Sequence, residues 1–152
     1  MQKLVQRWQK RLWLYAHRLA GDPEAAWDIT QETWLAIIRG LRKLQDPAKF
    51  KQWAYRIVTN KAMDLLKARQ PTQTLPEEPT KDTAAHDNKD STLSELLGRL
   101  NPSKRAVLAL YYLEGLTTAQ VASVLDIPKG TVKSRLHSAR NELRKLWQQD
   151  LG

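Results

Sequence analysis

Apolar residues recur along most of this chain at the spacing of an α-helix. Leu4, Val5, Trp8, Leu12, Tyr15, Ala16 and Leu19 step by ones, threes and fours with Lys and Arg between them, which predicts an amphipathic helix over residues 3–19 ended by Gly21. Asp22-Pro23 then offers a capping side chain followed by proline at the first helical position, where the missing N–H costs nothing. Glu24 suits the positive end of the helix dipole. A second helix is expected to about Arg39, with Gly40 as its stop. Ala26, Ile29, Thr30, Thr33 and Ile37 lie on one face, and Asp28, Gln31, Glu32 and Leu35 on another. Asp46-Pro47 repeats the start signal and opens a third helix to about Arg69, with Phe50, Ala54, Ile57, Val58, Leu65 and Leu66 as its core stripe.

The pattern then stops. From Gln70 the sequence QPTQTLPEEPTKDTAAHDNKD carries three prolines and almost no large apolar residue, so it cannot bury enough surface to fold alone and reads as an extended linker. Helical spacing resumes beyond it. Thr92 with Glu95 makes a capping box for a short helix through Leu100. Asn101-Pro102 starts the next, with Val107, Leu108, Tyr111 and Tyr112, and Gly115 stops it.

Residues 116–146 read as a helix-turn-helix. Thr117 and Gln120 form a second capping box ahead of Val121, Ala122 and Leu125, and Asp126-Ile127-Pro128 breaks the helix because the residue before a proline leaves helical geometry. Val132, Leu136, Ala139, Leu143 and Leu146 then form the core stripe of a longer helix. Its other face holds Lys129, Lys133, Ser134, His137, Arg140, Asn141 and Arg144. Short hydroxyls and cations at the start of a second helix are what that motif presents to DNA, although a basic face can also be simply solvated. The fold class expected is all-α: two small helical domains, 1–70 and 92–152, joined by an extended linker over 71–91, the C-terminal one a helix-turn-helix.

Charge sharpens this picture. The chain has 25 Lys and Arg against 16 Asp and Glu, net +9, which points to an acidic partner, nucleic acid ahead of anionic lipid. Residues 1–70 hold 14 cations against 6 acids and residues 92–152 hold 9 against 5, whereas residues 71–91 hold 2 against 5, so an acidic link joins two basic blocks. No apolar run approaches the ~18 residues of a membrane span, and charges scattered through the N-terminus leave no apolar signal segment. The absence of Cys fits a reducing, cytoplasmic setting. There is no phosphate loop, no HExxH and no Ser-His-Asp spacing, and His17, His86 and His137 lie far apart, so neither catalysis nor a metal or cofactor is expected.

Two faces in the first half carry possible chemistry. The Asp28, Gln31, Glu32, Leu35 stripe puts acid and amide on a basic chain beside Trp27 and Trp34; it is either a solvated face or a docking face for a cationic partner. On the third helix, Lys49, Gln52, Trp53, Arg56, Asn60, Met63 and Lys67 interleave cations, an aromatic and amides, as a strand-capturing surface requires. A lone Trp53 could equally belong to the core.

The wording of these stretches resembles a known family. GTVKSRLHSAR, beginning at Gly130, is similar to the GTVKSRLxRAR string in region four of bacterial sigma factors of the extracytoplasmic-function (ECF) group. LNPSKRAVLALYYLEGLT resembles that family's approach to the helix-turn-helix. Ala26-x-Asp28-Ile29-x-Gln31-Glu32-Thr33-Trp34-Leu35 resembles the AxDxxQExF signature of region two, and Phe50-x-x-Trp53-x-Tyr55-Arg56-Ile57-x-x-Asn60-x-x-x-Asp64 the FxxWLxRIxxNxxxD pattern. Trp27 departs from the usual acidic residue and Ser138 from a usual cation.

The resemblance implies a dissociable subunit that binds core RNA polymerase and directs it to promoters. It implies that Asp28, Gln31, Glu32 and Leu35 meet the clamp helices of the β′ subunit, with a further contact to the β subunit. Lys49, Trp53, Arg56 and Asn60 then recognise and open the minus-ten element, and the connector threads the polymerase cleft. Lys133, Ser134 and His137 read base edges of the minus-thirty-five element, while Lys129, Thr131, Arg135, Arg140 and Arg144 hold phosphates, Arg135 with the further option of tying helices together through its stem. An anti-sigma factor is implied as a partner, and no membrane insertion. The rival readings are a stand-alone helix-turn-helix regulator and a relative that only scaffolds other proteins.

Overall fold

A computed structural model describes residues 1–69 and 89–151; the expected linker therefore lies, up to residue 88, outside the described residues. The described residues are helical, with no strand among them. Helix α1 (Gln2–Ala20) ends at Gly21, whose φ of 76° closes the last turn by donating to the His17 carbonyl at 2.8 Å. Helix α2 (Pro23–Gly40) is capped by Asp22, which accepts from the Glu24 amide at 3.2 Å. Two tight turns, Leu41–Lys43 and Pro47–Lys49, lead into α3 (Phe50–Arg69), with Asp46 accepting from the Ala48 amide at 3.0 Å.

The second half contains α4 (Lys89–Arg99), α5 (Pro102–Leu108) running into a wide π turn (Ala109–Leu113), α6 (Thr118–Leu125) and α7 (Lys129–Leu151). Asn101 caps α5, and both arms of the Thr117–Gln120 capping box are made. Asp126 turns the chain between α6 and α7 with φ 55° and ψ 50°, a left-handed conformation that a short polar side chain tolerates.

Three local expectations need correction. Gly40 is not a left-handed stop: its φ is −102° and the chain continues into another helical turn. Glycine is needed there for space, because a Cβ would lie 2.8 Å from the Trp53 ring. Helix α4 begins at Lys89, so the Thr92–Glu95 pair falls inside it rather than at its start. Tyr112, assigned to an apolar face, is 50% exposed: the wide turn changes the register and turns Ala109 and Leu110 inward instead.

Both halves share one contiguous buried cluster. Leu12, Tyr15, Leu19, Ile37, Tyr55 and Val58 of α1–α3 continue into Leu97, Leu100, Val107, Leu110, Val121 and Val132 of α4–α7. α1 packs on α4 and α5, and α3 packs on α6. The first half is built from rings, with Trp8 edge-on to Phe50 at 5.5 Å and Tyr15 edge-on to Tyr55 at 5.1 Å, while the second is almost wholly aliphatic.

Candidate nucleic-acid and docking surfaces

On α2 the division of faces follows the sequence. Ala26, Ile29, Thr30, Thr33 and Ile37 are buried, and the two threonine hydroxyls are satisfied by donating to the Ala26 and Ile29 carbonyls at 2.7 Å, so this face needs no other polar partner. The opposite face presents Asp28, Gln31, Glu32 and Leu35 to solvent together with Trp27 and Ile38. Leu35 and Ile38 are 53% and 56% exposed, so acid and bare hydrocarbon lie side by side. Only a weak contact constrains the acids: Glu32 stands 4.0 Å from Lys61, at an exposed site. Trp34 leaves this face, for it is buried with its indole N–H donating to Gln9.

Trp27 belongs to a different neighbourhood. Its ring lies 5.6 Å from that of Trp13, which in turn stacks on His17 at 5.1 Å and 11°. Val5, Gln9, Trp13, Leu14 and Trp27 line a groove of about 560 Å³ along the outer side of α1 and α2. Partial burial holds the His17 imidazole below its ordinary pKa; Asp22 acts in the opposite direction.

On α3, Lys49, Arg56 and Asn60 are exposed, Lys49 in the turn just before the helix. Trp53 is half-buried against Gly40 and edge-on to Phe50 at 6.0 Å, so part of its ring serves packing and part is open. Next to it, Arg7, Arg11 and Lys51 line a cleft of about 610 Å³ with Trp8, Leu44 and Phe50, and the Arg11 guanidinium lies 4.5 Å over the Trp8 ring. The helical stripes did not reveal this cleft, since its cations come from α1 and from the core-facing side of α3.

On α7 the buried stripe is Val132, Leu136 and Ala139, with Leu143 and Leu146 half-buried. Lys129, Lys133, Ser134, His137, Arg140 and Arg144 are exposed, whereas Thr131 and Arg135 are half-buried. Several are held by neighbours. The Ser134 hydroxyl donates to the Thr131 carbonyl at 3.1 Å, His137 sits 3.3 Å from Asn141, and Arg140 donates to the Tyr112 hydroxyl at 2.9 Å. Lys133 and Arg144 are in no such bond, and they project from the helix at either end of this surface.

Sequence reasoning missed the residues between the two halves, above all Tyr55 and Glu114. A signal existed: Tyr55, Thr59 and Ala62 form a second buried stripe on α3, and a helix with two buried stripes needs neighbours on two sides.

The family models for Sigma-70 region 2 and for Sigma-70, region 4 match residues 4–72 and 91–143. The chain is 33% identical to the ECF RNA polymerase sigma factor SigE of Mycolicibacterium smegmatis over 93% of its own length and 59% of that protein's. It is 35% identical to the ECF sigma factor SigL of Mycobacterium tuberculosis over 93% and 84% of the two lengths. Among solved structures, the sigma factor RpoE of Bartonella quintana, bound to the anti-sigma factor NepR, superposes with a TM-score of 0.78 at 20% identity over 97% of this chain and 96% of that one. CnrH, bound to the cytosolic domain of CnrY, does so at 0.72 and 25% over 97% and 87%. With both regions present in order and relatives this similar along most of its length, the chain belongs to the ECF group of RNA polymerase sigma factors.

Proposed function

We propose that this chain performs promoter-directed transcription initiation through a division of labour among three exposed faces. The observation that carries this reading is that one chain holds an acidic, apolar outer face on α2 and, on α3 and α7, exposed cationic faces opposite buried stripes. Asp28, Gln31, Glu32 and Leu35 dock onto the β′ clamp helices of core polymerase, and the uncovered Trp27 and Ile38 extend that contact. Tyr112, Leu113 and Trp147, all exposed on the second half, offer the apolar area for the β subunit. Lys49, Arg56, Asn60 and the open part of Trp53 take the unpaired minus-ten strand, with the neighbouring basic cleft holding its phosphates. Lys133, Ser134 and His137 read the minus-thirty-five element; Lys129, Thr131, Arg135, Arg140 and Arg144 position the helix on the backbone. Likeness to CnrH, which was solved with the cytosolic domain of CnrY, supports an anti-sigma protein as a further partner. The site of action is the cytoplasm, where polymerase works.

Co-purification with core polymerase followed by run-off transcription tests the reading. A specific transcript that depends on this chain is expected. Polymerase binding with no specific initiation would make it a scaffold, and DNA binding with no affinity for polymerase would make it a stand-alone regulator.

A further inference from the structure

The seam between the two halves converges on one carboxylate. Glu114, 8% exposed, follows the wide turn of α5: its amide donates to the Ala109 carbonyl five residues back at 2.9 Å, which swings the residue toward α1 and α3. Its carboxylate accepts from the Tyr55 hydroxyl of α3 and, at 3.4 Å, from Arg18 of α1, and its backbone carbonyl accepts from the Lys51 ammonium at 2.8 Å. Tyr55 is itself fixed by Tyr15, whose hydroxyl is 2.7 Å from that of Thr59. A second buried charge crosses the same seam: Arg105 of α5, 8% exposed, donates to the Leu19 carbonyl at the end of α1 and to the Leu100 carbonyl at 2.9 Å. Around these polar ties, α3 lies against α6, with Val121 and Val124 of α6 buried.

This arrangement is at odds with simultaneous reading of two promoter elements. α3 touches α6 and α6 touches α7, so the two proposed DNA-reading helices lie within roughly 20 Å, two helix-to-helix spacings. Elements named for positions ten and thirty-five lie about 25 base pairs apart, or roughly 85 Å along a duplex. One molecule in this form cannot reach both.

We infer that the free chain is self-closed, with Glu114 latching the helix-turn-helix half onto α1 and α3, and that this latch must release before both promoter elements are engaged. The promoter part of the inference rests on the function proposed above; the latch itself does not. Buried charges held by charge-assisted hydrogen bonds suit such a role, since a partner that takes over Arg18, Lys51 or Tyr55 leaves Glu114 buried and unpaired, and the seam then opens as a unit.

The test uses the full-length chain, which has no native cysteine to interfere with labelling. Cysteines introduced at exposed Lys67 of α3 and Ser123 of α6 carry a fluorophore pair for single-molecule energy transfer. A high-transfer population is expected for the free wild-type chain. Glu114→Lys, which faces Arg18 and Lys51 with a like charge, should shift molecules to low transfer and raise the rate of association with core polymerase about tenfold, as expected if opening limits access to the binding-competent state. Circular dichroism monitors helix content; should Glu114→Lys lose it, Tyr55→Phe, which removes a single hydroxyl, carries the test at smaller amplitude. A folded Glu114→Lys that keeps the wild-type transfer distribution, or a wild-type chain that is already open, overturns the latch. If the variant opens but no form of the chain binds polymerase, the latch stands and the proposed function fails.

Discussion

The two helices proposed to touch DNA are built on opposite economies of surface. α3 is enclosed on two sides: Phe50, Ala54 and Val58 face the rings of α1 and α2, and Tyr55, Thr59 and Ala62 form its second buried stripe, facing Tyr15 and Glu114. Little of it is left for solvent. α7 buries one stripe, Val132, Leu136 and Ala139, and leaves the rest of its first four turns free. Function on α3 is therefore entangled with folding, because Trp53 is at once a base-capture candidate and the packing partner of Gly40. On α7 the two are separable, and single substitutions can be read as contacts with DNA.

The largest expected effect lies on α2, whose outer face resembles α7 in being free of structural duty. Replacing both Asp28 and Glu32 by Lys reverses the charge of an exposed face, so core polymerase affinity is expected to fall at least about a hundredfold, like-charge contacts across an interface costing several kcal/mol. Thermal stability should stay within about 0.5 kcal/mol of wild type, as for surface changes away from packing. Pull-down of core polymerase alongside a thermal melt decides it. Undiminished binding by the folded double variant removes α2 from the docking surface.

On α7, Lys133→Ala should lose about 1–3 kcal/mol of binding, mainly on the preferred upstream sequence, whereas Arg144→Ala should weaken every sequence alike and lower the salt slope by about one. Binding to single-base variants at two salt concentrations separates the two. Uniform loss from Lys133→Ala with base preference intact contradicts the assignment of that lysine. Arg140 is the intermediate case. Its hydrogen bond to Tyr112 fixes its direction before DNA arrives, so Tyr112→Phe should weaken DNA binding less than Arg140→Ala does, and by the same factor on all sequences.

How much could be read from the chain follows the same contrast. The faces of α2 and α7 were legible because each helix has one buried stripe and one exposed stripe, the situation that helical spacing encodes. The capping box at Thr117 and Gln120 and the Asp-Pro starts were legible because they satisfy their own backbone locally. The seam was not. Glu114, Arg105 and Lys51 look like ordinary surface charges until tertiary packing brings Tyr55, Leu19 and Arg18 to them, and no local rule announces a partner 59 or 86 residues away. Gly40 was misread for the same reason: a glycine after a helix usually answers the backbone, and this one answers the Trp53 ring instead.

Gly40 supplies a sharper probe of the entanglement on α3. Alanine is favoured over glycine in a helix by about 1 kcal/mol, and here the added methyl would sit 2.8 Å from the indole. The ring must move, so Gly40→Ala should change global stability little while displacing Trp53 from its site. Promoter opening, followed by permanganate reactivity of unpaired thymines, should fall as it does in Asn60→Ala, with binding to the closed duplex retained. Full opening in Gly40→Ala would show that the position of Trp53 is immaterial to strand capture.

The smallest effect concerns His17, which lies between the ring-built half and the docking face. Stacked on Trp13 and half-buried, its imidazole has a pKa below the ordinary value, first because burial disfavours the cation and then because Arg18 is near, with Asp22 opposing. The folded state thus takes up a proton less readily than the unfolded chain, whose histidines titrate near about 6.5. Stability from this group is fully present above that value and is lost as pH falls through it toward the lower, folded pKa. Thermal melts of wild type and His17→Phe between about pH 5 and 8 read this directly. Phenylalanine keeps the ring on Trp13 and removes the proton, so the acid-side fall in melting temperature should be shallower in the variant, with the curves running parallel above about pH 7. Identical slopes on the acid side would mean that carboxylates alone set the acid stability of this half. The stack of Trp13, His17 and Trp27 would then be a packing feature without a titrating role.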